Sequence, residues 1–190
     1  MIVIIGSGII GLYVAKKLLE NKKEVLIFDT TDVSATATNA SVGMLAPLIE
    51  TKPYENKLFK LMMDSKKLWD GSLKEGMIAD IIGLKENSSL FVAQDLDELE
   101  EIKFKKEFIK KLGYELEILS RSETLKIEPN LNSNIEGSLI FKKHNQVEPD
   151  LLKKFLIKNI LNMGGLIKKE KNLKKFKFTE NKVQIGDAKF

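Results

Sequence analysis

Hydrophobic and polar positions divide the first 29 residues into a strand, a turn, a helix and a second strand. The apolar run at residues 2–5 predicts a short strand, and the one at residues 25–28 predicts a second strand that ends in Asp29. Between them, the pattern predicts a helix that reaches about Asn21. The order strand, turn, helix, strand and acid is typical of the first unit of an α/β sheet.

The turn contains three glycines, Gly6, Gly8 and Gly11, at GxGxxG spacing. Gly6 allows a tight turn, Gly8 lets a pyrophosphate approach the backbone, and Gly11 lets helix and strand pack closely. The helix N-terminus offers N–H groups to phosphates, and Asp29 is placed to accept hydrogen bonds from a ribose 2′-hydroxyl. These features predict a dinucleotide site and leave NAD and FAD open; the alternative is a glycine-rich turn that binds nothing.

A loop of small residues follows Asp29. Residues 30–41 read TTDVSATATNAS, with no apolar periodicity, and residues 42–47 read VGMLAP. Small side chains let the backbone come close to a bulky partner, and Ser and Thr hydroxyls reach phosphate oxygens. The pattern therefore favours a loop that contacts the cofactor over the alternative, a flexible linker.

Further helices and strands alternate along the rest of the chain. Residues 54–69 predict an amphipathic helix with Trp69 in the core. Its apolar stripe comprises Leu58, Leu61, Met62, Ser65, Leu68 and Trp69. Other helices are predicted to start at Asp95, at a capping box on Ser120 and at Pro149. Strands are predicted at residues 89–93, 115–119, 137–141 and 166–169, and a hairpin at residues 173–178 and 182–185.

This order predicts an α/β fold of the FAD/NAD(P)-binding, Rossmann-like, three-layer type, with an inserted α+β portion. Residues 1–77 would form the first part of the nucleotide-binding domain and residues 146–190 its second part. Residues 78–145 would form part of a substrate domain inserted between them.

Composition narrows the chemistry. The chain has 190 residues and a net charge of +4, and it contains no cysteine, which excludes disulfides, thiolate catalysis and cysteine-ligated metals. Arg121 is its one arginine, so the bidentate contacts that nucleic-acid readers use are lacking. The lysine-rich stretch at residues 168–177 reads as a solvated strand and turn in preference to a binding patch. We predict no nucleic-acid partner and no metal.

No segment predicts stable insertion into a membrane. The apolar run at residues 1–15 lacks a basic leader and is broken by glycines, so the nucleotide motif explains it better than a signal peptide. A cytoplasmic location is therefore expected.

Three stretches resemble the FAD-dependent D-amino-acid oxidase family, most closely the amino-terminal half of the glycine oxidases of thiamine biosynthesis. They are IIGSGIIG at residues 4–11, VSATATNASVGMLAP at residues 33–47 and QVEPDLL at residues 146–152. The first is generic to flavin and nicotinamide enzymes, whereas the second is much more specific. The resemblance implies FAD as the cofactor and a small amino acid or amine as the substrate.

The resemblance also implies a set of FAD contacts. Ile9 and Ile10 would lie against the pyrophosphate, and Asp29 and Thr30 would hold the adenosine ribose. Leu173 would touch the adenine through its backbone. The phosphates and the isoalloxazine would be contacted by residues of the small-residue loop. The full set is Gly6, Ser7, Gly8, Ile9, Ile10, Gly11, Asp29, Thr30, Ala37, Thr38, Val42, Gly43, Met44 and Leu173.

The family reaction passes a hydride from the substrate to the flavin and turns an amine into an imine. In relatives, the arginine that clamps the substrate lies in the carboxyl-terminal half. Arg121 sits in the predicted capping box and His144 in a polar, surface-like stretch, so no catalytic residue is assigned. A D-amino-acid dehydrogenase, a sarcosine-oxidase-like enzyme and a flavin-binding fragment without turnover are the alternatives.

The strand at residues 2–5 is expected to have both of its neighbours, residues 25–28 and 166–169, on one side. An open apolar edge favours aggregation. We therefore expect the 190 residues alone to be poorly soluble, or to be completed by a second chain or a carboxyl-terminal half. Thermal unfolding in the absence of flavin, with sedimentation to give the mass, checks this. A sharp, cooperative transition of a monomer would contradict it.

Overall fold

A computed structural model describes residues 1–30, 36–73, 76–170, 176–179, 182–185 and 188–189. Its strands are β1 (Ile2–Ile5), β2 (Val25–Thr30), β3 (Met44–Leu45), β4 (Lys85–Ala93), β5 (Glu117–Ser120), β6 (Gly137–Gln146), β7 (Leu166–Glu170), β8 (Phe176–Thr179), β9 (Lys182–Ile185) and β10 (Ala188–Lys189). Its helices are α1 (Ile9–Glu20), α2 (Ala37–Ala40), α3 (Pro47–Glu50), α4 (Asn56–Leu73), α5 (Gly76–Ile82), α6 (Leu96–Lys111), α7 (Arg121–Ile127) and α8 (Pro149–Asn162).

The chain forms two compact units. The first consists of Met1–Gly43, Ile81–Gly83 and Glu148–Phe190, and the second of Met44–Asp80 and Leu84–Val147. The sequence-based domain bounds, at residues 77 and 145, stay a prediction.

The first unit is built on a parallel sheet in the order β1-β2-β7. Residues 25–28 of β2 are a continuous apolar run and all are buried, as expected for the middle strand of a parallel sheet. Helices α1 and α8 pack on each other and contribute Leu12, Leu156 and Ile160 to the core. Strands β8, β9 and β10 form a separate antiparallel sheet.

Strand β1 lies at the edge of the parallel sheet. Within the described residues it is hydrogen-bonded to β2 alone, so its two predicted neighbours do lie on one side. Ile2 and Ile5 are 38% and 40% exposed. The apolar edge that the sequence predicts is therefore present in this part of the chain.

The second unit is built around β6. Strands β3 and β4 flank β6 in an antiparallel sheet, and β5 also pairs with it. Helix α6 covers this sheet, with Ala93, Ile102, Leu139 and Phe141 at the centre of the core. The helix predicted to start at Asp95 begins at Leu96 with Asp95 as its N-cap, and the predicted capping box at Ser120 is confirmed.

Helix α4 does not bury the apolar stripe that the sequence predicts. Leu58, Leu61 and Leu68 are 48%, 67% and 77% exposed, whereas Met62 and Trp69 are half-buried. The predicted stripe spans two adjoining faces of α4. Periodicity alone does not show which of these two faces packs against the rest of the second unit. Trp69 therefore lies at the boundary of the core and not inside it.

The prediction that His144 is a surface residue was wrong, because His144 is only 2% exposed. Strand β6 continues past its predicted end at Phe141, and it contains Lys143 in the left-handed region, with φ of 59°. Pairing with β4 shifts register between Asn87 and Ser89, opposite this point. The irregularity turns polar side chains of a polar stretch toward the interior.

The buried imidazole has two specific neighbours. It stacks on Phe141 with 5.3 Å between ring centroids, and its Nδ1 lies 2.9 Å from the Ser89 hydroxyl. Burial, with a smaller contribution from the Lys66 ammonium, lowers the pKa of His144 to about 4. The folded protein therefore holds a neutral histidine at physiological pH.

The lowered pKa predicts that stability falls on mild acidification. Unfolded histidine has a pKa of about 6.5. Below that pH, His144 therefore binds a proton in the unfolded state but not in the folded state. The free energy of unfolding is then at its full value above about pH 7.5 and drops by about 2 kcal/mol between about pH 7.5 and about pH 5. Urea denaturation across this range measures the drop.

His144→Phe is the control, because it keeps an aromatic ring beside Phe141 and removes the only histidine of the chain. The variant should show little pH dependence in the same range. An equal loss of stability in both proteins would contradict the assignment.

Candidate functional site

The glycine turn of the first unit is set by a close contact between two glycines. Gly6 has a φ of +101° and its amide donates to the Phe28 carbonyl at 2.7 Å. A Cβ on Gly11 would lie 2.1 Å from the Gly6 carbonyl oxygen. Since backbone cannot yield easily at that distance, α1 approaches β1 this closely only with glycine at position 11.

The N-terminus of α1 is prepared for an anion. Gly8 is the N-cap residue and no side chain caps the helix through it, and the first turn contains no acidic residue. The Ile9 amide donates to the Thr38 hydroxyl at 3.1 Å. The amides of Ile10 and Gly11 find no acceptor among the described residues. Two N–H groups and the positive end of the helix dipole are therefore left for phosphate oxygens.

Asp29 lies beside the turn, at the carboxyl end of β2. Its carboxylate accepts hydrogen bonds from the Ser7 hydroxyl and, at 2.8 Å, from the Thr30 amide. Ser7 and Asp29 are both buried. Ser7 thus connects the glycine turn to the acid, and its contact with the cofactor stays a prediction.

The small-residue loop approaches the same turn through α2. Thr36 caps this helix, its hydroxyl accepting from the Asn39 amide at 3.3 Å. A Cβ on Gly8 would meet only the Thr38 hydroxyl, at 3.5 Å. Residues 36–41 therefore contain one helical turn where the sequence predicted irregular structure.

These residues fit a dinucleotide. An open backbone at Gly8, free amides at the start of α1 and an acid at the end of β2 are the donor and acceptor set that a pyrophosphate and a ribose need. The structure brings together Gly6, Ser7, Gly8, Ile9, Ile10, Gly11, Asp29, Thr30, Ala37 and Thr38 in the first unit. Val42 and Gly43 end the first stretch of that unit, Met44 begins the second unit, and Leu173 lies outside the described residues.

The second unit contains a cavity of about 280 Å³, which we call the α3–α4 cavity. It is lined by Met44, Leu45, Ala46, Pro47, Glu50, Leu61, Met62, Ser65, Lys66 and Trp69. Met44, implied by resemblance to lie beside the flavin ring, is thus part of its wall.

A polar network that the sequence did not reveal stands at this wall. Lys66 donates to both carboxylate oxygens of Asp70, at 2.7 and 2.9 Å, and Asn145 donates to Asp70 Oδ1 at 2.9 Å. The sequence signal for the Lys66–Asp70 pair was two opposite charges four residues apart on a predicted helix. Such pairs are common on solvated faces, and only the burial of Asn145 in β6 distinguishes this one.

Arg121 is engaged in contacts with other residues of the protein. Its Nε donates to the Ile135 carbonyl at 2.6 Å, and its guanidinium pairs with Glu136 at 3.3 Å. It holds a loop to the start of α7 and is a poor candidate for binding a substrate. In the described residues, no group of His, Cys, Asp or Glu side chains is arranged to hold a metal ion. Nor does any helix there have the length and apolar character to cross a membrane.

Fold and site together define a dinucleotide-binding protein of the Rossmann-like α/β class. The profile of the DAO family, described as FAD dependent oxidoreductase, matches residues 1–188. The chain therefore belongs to the FAD-dependent oxidoreductases of the DAO family, and its cofactor is FAD.

Curated relatives include two kinds of enzyme. A glycerol 3-phosphate dehydrogenase of Caloramator mitchellensis is 30% identical over 150 residues, which cover 78% of this chain and 30% of the relative. A glycine oxidase of Geobacillus kaustophilus is 27% identical over 155 residues, covering 79% of this chain and 41% of the relative. The chain thus spans less than half the length of these relatives.

Among solved structures, the glycine oxidase from Geobacillus kaustophilus superposes with a TM-score of 0.86. The match covers 99% of this chain and 52% of that chain, at 21% sequence identity. At this identity the likeness concerns the fold. The predicted fold class and the predicted cofactor are both confirmed.

Gly11→Ala and Gly8→Ala should separate folding from cofactor binding. The methyl group at position 11 meets a carbonyl oxygen, and overpacking of this kind costs about 1–3 kcal/mol of unfolding free energy or more. At position 8 the methyl group meets no backbone, so stability changes by about 1 kcal/mol at most. It does occupy the space where a pyrophosphate approaches, and FAD affinity should fall by about tenfold or more.

Urea denaturation and quenching of FAD fluorescence measure the two effects. Equal FAD affinity in Gly8→Ala and the unsubstituted chain would contradict the placement of the pyrophosphate. Equal stability of Gly11→Ala would contradict the close contact of the two glycines.

Proposed function

We propose that this chain is the FAD-binding part of a glycine-oxidase-like enzyme that oxidises the amine of glycine or a small amino acid to an imine. The observation that carries the proposal is the match to glycine oxidases along 79% of the chain, together with a glycine turn built to bind FAD. By the same resemblance, we propose that the product serves the thiazole branch of thiamine biosynthesis.

Bound FAD supplies the two-electron acceptor for such a reaction. The residues of this chain bind and orient the cofactor. The α1 N-terminus and Thr38 hold the pyrophosphate, and Asp29, fixed by Ser7, accepts from the ribose hydroxyls. Met44 and Gly43 lie toward the flavin ring in this proposal.

The substrate is bound in part by groups outside this chain. Its carboxylate is best matched by a guanidinium fork, and the one arginine here is engaged by Ile135 and Glu136. We propose that a carboxyl-terminal half or a second chain supplies that fork. A D-amino-acid dehydrogenase or a sarcosine-oxidase-like activity would use the same FAD-binding part.

A second candidate function is the oxidation of glycerol 3-phosphate. It is favoured by one relative, the dehydrogenase of Caloramator mitchellensis, which is 30% identical over 78% of the chain. This substrate has a phosphate and a secondary alcohol in place of the carboxylate and amine of an amino acid.

Turnover by the flavin-loaded protein separates the candidates. We expect the chain, purified with excess FAD, to be yellow. When it is combined with the carboxyl-terminal half or second chain that supplies the fork, hydrogen peroxide should form with glycine and not with glycerol 3-phosphate. Dye reduction in place of peroxide, with glycine or another amino acid, would indicate a dehydrogenase.

The remaining outcomes go against the leading proposal. Turnover of glycerol 3-phosphate alone would establish the second candidate. Bound FAD without turnover of any amine or of glycerol 3-phosphate would indicate a flavin-binding fragment. Gly8→Ala is the control, since colour that persists in this variant does not come from the proposed site.

A further inference from the structure

The α3–α4 cavity has the size of a small metabolite. Its volume of about 280 Å³ is close to the lower end of the range of about 300–1,000 Å³ that ligand pockets span. Apolar side chains, among them Met44, Met62 and Trp69, form most of its lining. Among the residues that the structure describes, Glu50 and Lys66 are the charged ones that line it. Apolar walls with a few placed polar groups are typical of ligand sites.

The Lys66 side chain is much less exposed to solvent than that of Lys67, the next residue on α4. Its side chain is 13% exposed, whereas that of Lys67, which pairs with Asp64, is 74% exposed. A charge in a partly dry setting interacts more strongly with a ligand than one in open solvent. Lys66 is therefore the stronger recognition group of the two.

The Lys66 ammonium has one proton left for a ligand. An ammonium has three donors, and two of them go to the two oxygens of Asp70. Asp70 is in turn held by the amide of Asn145, which is buried in β6. No other acceptor for Lys66 is found in the part of the chain that the structure describes. Asn145 of β6 thus fixes the Asp70 carboxylate, and that carboxylate fixes the Lys66 ammonium at the cavity wall.

The charges around the cavity select the kind of ligand. Asp70 cancels the charge of Lys66, and the exposed Glu50 leaves an excess of one negative charge. A simple anion would gain one hydrogen bond from Lys66 but would be repelled by Glu50. A zwitterion avoids this conflict, because its carboxylate meets the free proton of Lys66 and its ammonium meets Glu50.

We propose that Lys66 and Glu50 form a subsite for a small zwitterionic amino acid in the α3–α4 cavity. The proposal rests on the proposed function for the class of ligand and on the cavity for the chemistry. Lys66 would give the ligand carboxylate one charge-assisted contact in addition to the guanidinium fork supplied from outside this chain. Asp70 and Asn145 are positioning residues, since they act through Lys66.

Fluorescence of Trp69 reports binding directly. Trp69 is the only tryptophan of the chain and it lines the cavity. We use glycine as the probe, with glycolate to replace the ammonium by a hydroxyl and glycinamide to replace the carboxylate by an amide. Glycine should bind at least about tenfold more tightly than either analogue, because each analogue loses one charge-assisted contact.

Single substitutions assign each contact. In Lys66→Met, glycine should bind no better than glycinamide does. Glycinamide affinity should not fall, because the cation loses no favourable contact and the Asp70 charge is no longer cancelled. In Glu50→Gln, glycine should bind no better than glycolate. Lys67→Met is the matched control, since it removes the same charge one residue along the helix from a side chain outside the cavity. It should leave all three affinities unchanged.

Asp70→Asn keeps the test decisive if Lys66→Met fails to fold. The amide has nearly the shape of the carboxylate and no longer cancels the Lys66 charge, so glycolate affinity should rise by about threefold or more. A Lys66–Asp70 pair that only supports the fold would give no such rise. Thermal unfolding of each variant shows whether it is folded.

Two results would overturn the subsite. One is glycine binding no more tightly than both analogues, and the other is equal glycine binding by Lys66→Met and Lys67→Met. These readouts need neither flavin nor turnover. Glycine binding through Lys66 in a protein that does not oxidise amines would contradict the proposed function alone. Glycine oxidation with no effect of Lys66→Met on Trp69 fluorescence would contradict the subsite alone.

Discussion

The contact between Gly6 and Gly11 is the constraint on which the first unit depends. With no Cβ at position 11, α1 can start within van der Waals reach of the Gly6 carbonyl. This geometry puts Ser7 within hydrogen-bonding reach of Asp29 at the neighbouring strand end. It also lets Thr38 meet the first amide of the helix. One steric requirement thereby brings together amides, hydroxyls and an acid that are up to 31 residues apart in the chain.

In the second unit, the irregular strand β6 is the constraint on which the polar network at the cavity depends. The left-handed residue Lys143 and the register shift opposite it turn His144 and Asn145 inward. A regular strand would have exposed one of two consecutive side chains to solvent. Because Asn145 is inside, it can hold Asp70 and, through it, Lys66 at the cavity wall. Buried polar groups need such partners to be tolerated, so the network and the strand irregularity belong together.

Membership of the DAO family accounts for the fold and the cofactor but leaves the substrate open, because relatives of similar identity differ in what they oxidise. The glycine oxidase and the glycerol 3-phosphate dehydrogenase match 79% and 78% of this chain. Both relatives are enzymes of different substrates, so a match to them does not select a substrate for this chain. The chain spans about half of the glycine oxidase that it superposes on. Substrate choice is therefore expected to depend on the α3–α4 cavity and on groups beyond this chain.

The sequence by itself determined the features that depend on local geometry. The glycine spacing, the acid after β2, the caps at Asp95 and Ser120 and the apolar run of β2 are all readable within a few residues of where they act. Tertiary structure alone decided which face of α4 is covered, that His144 is buried and that Lys66 stands at a cavity. These outcomes depend on partners far along the chain, such as Asn145 for Asp70. Polar residues read alike from sequence whether water or a distant side chain satisfies them, and only the fold shows which one does.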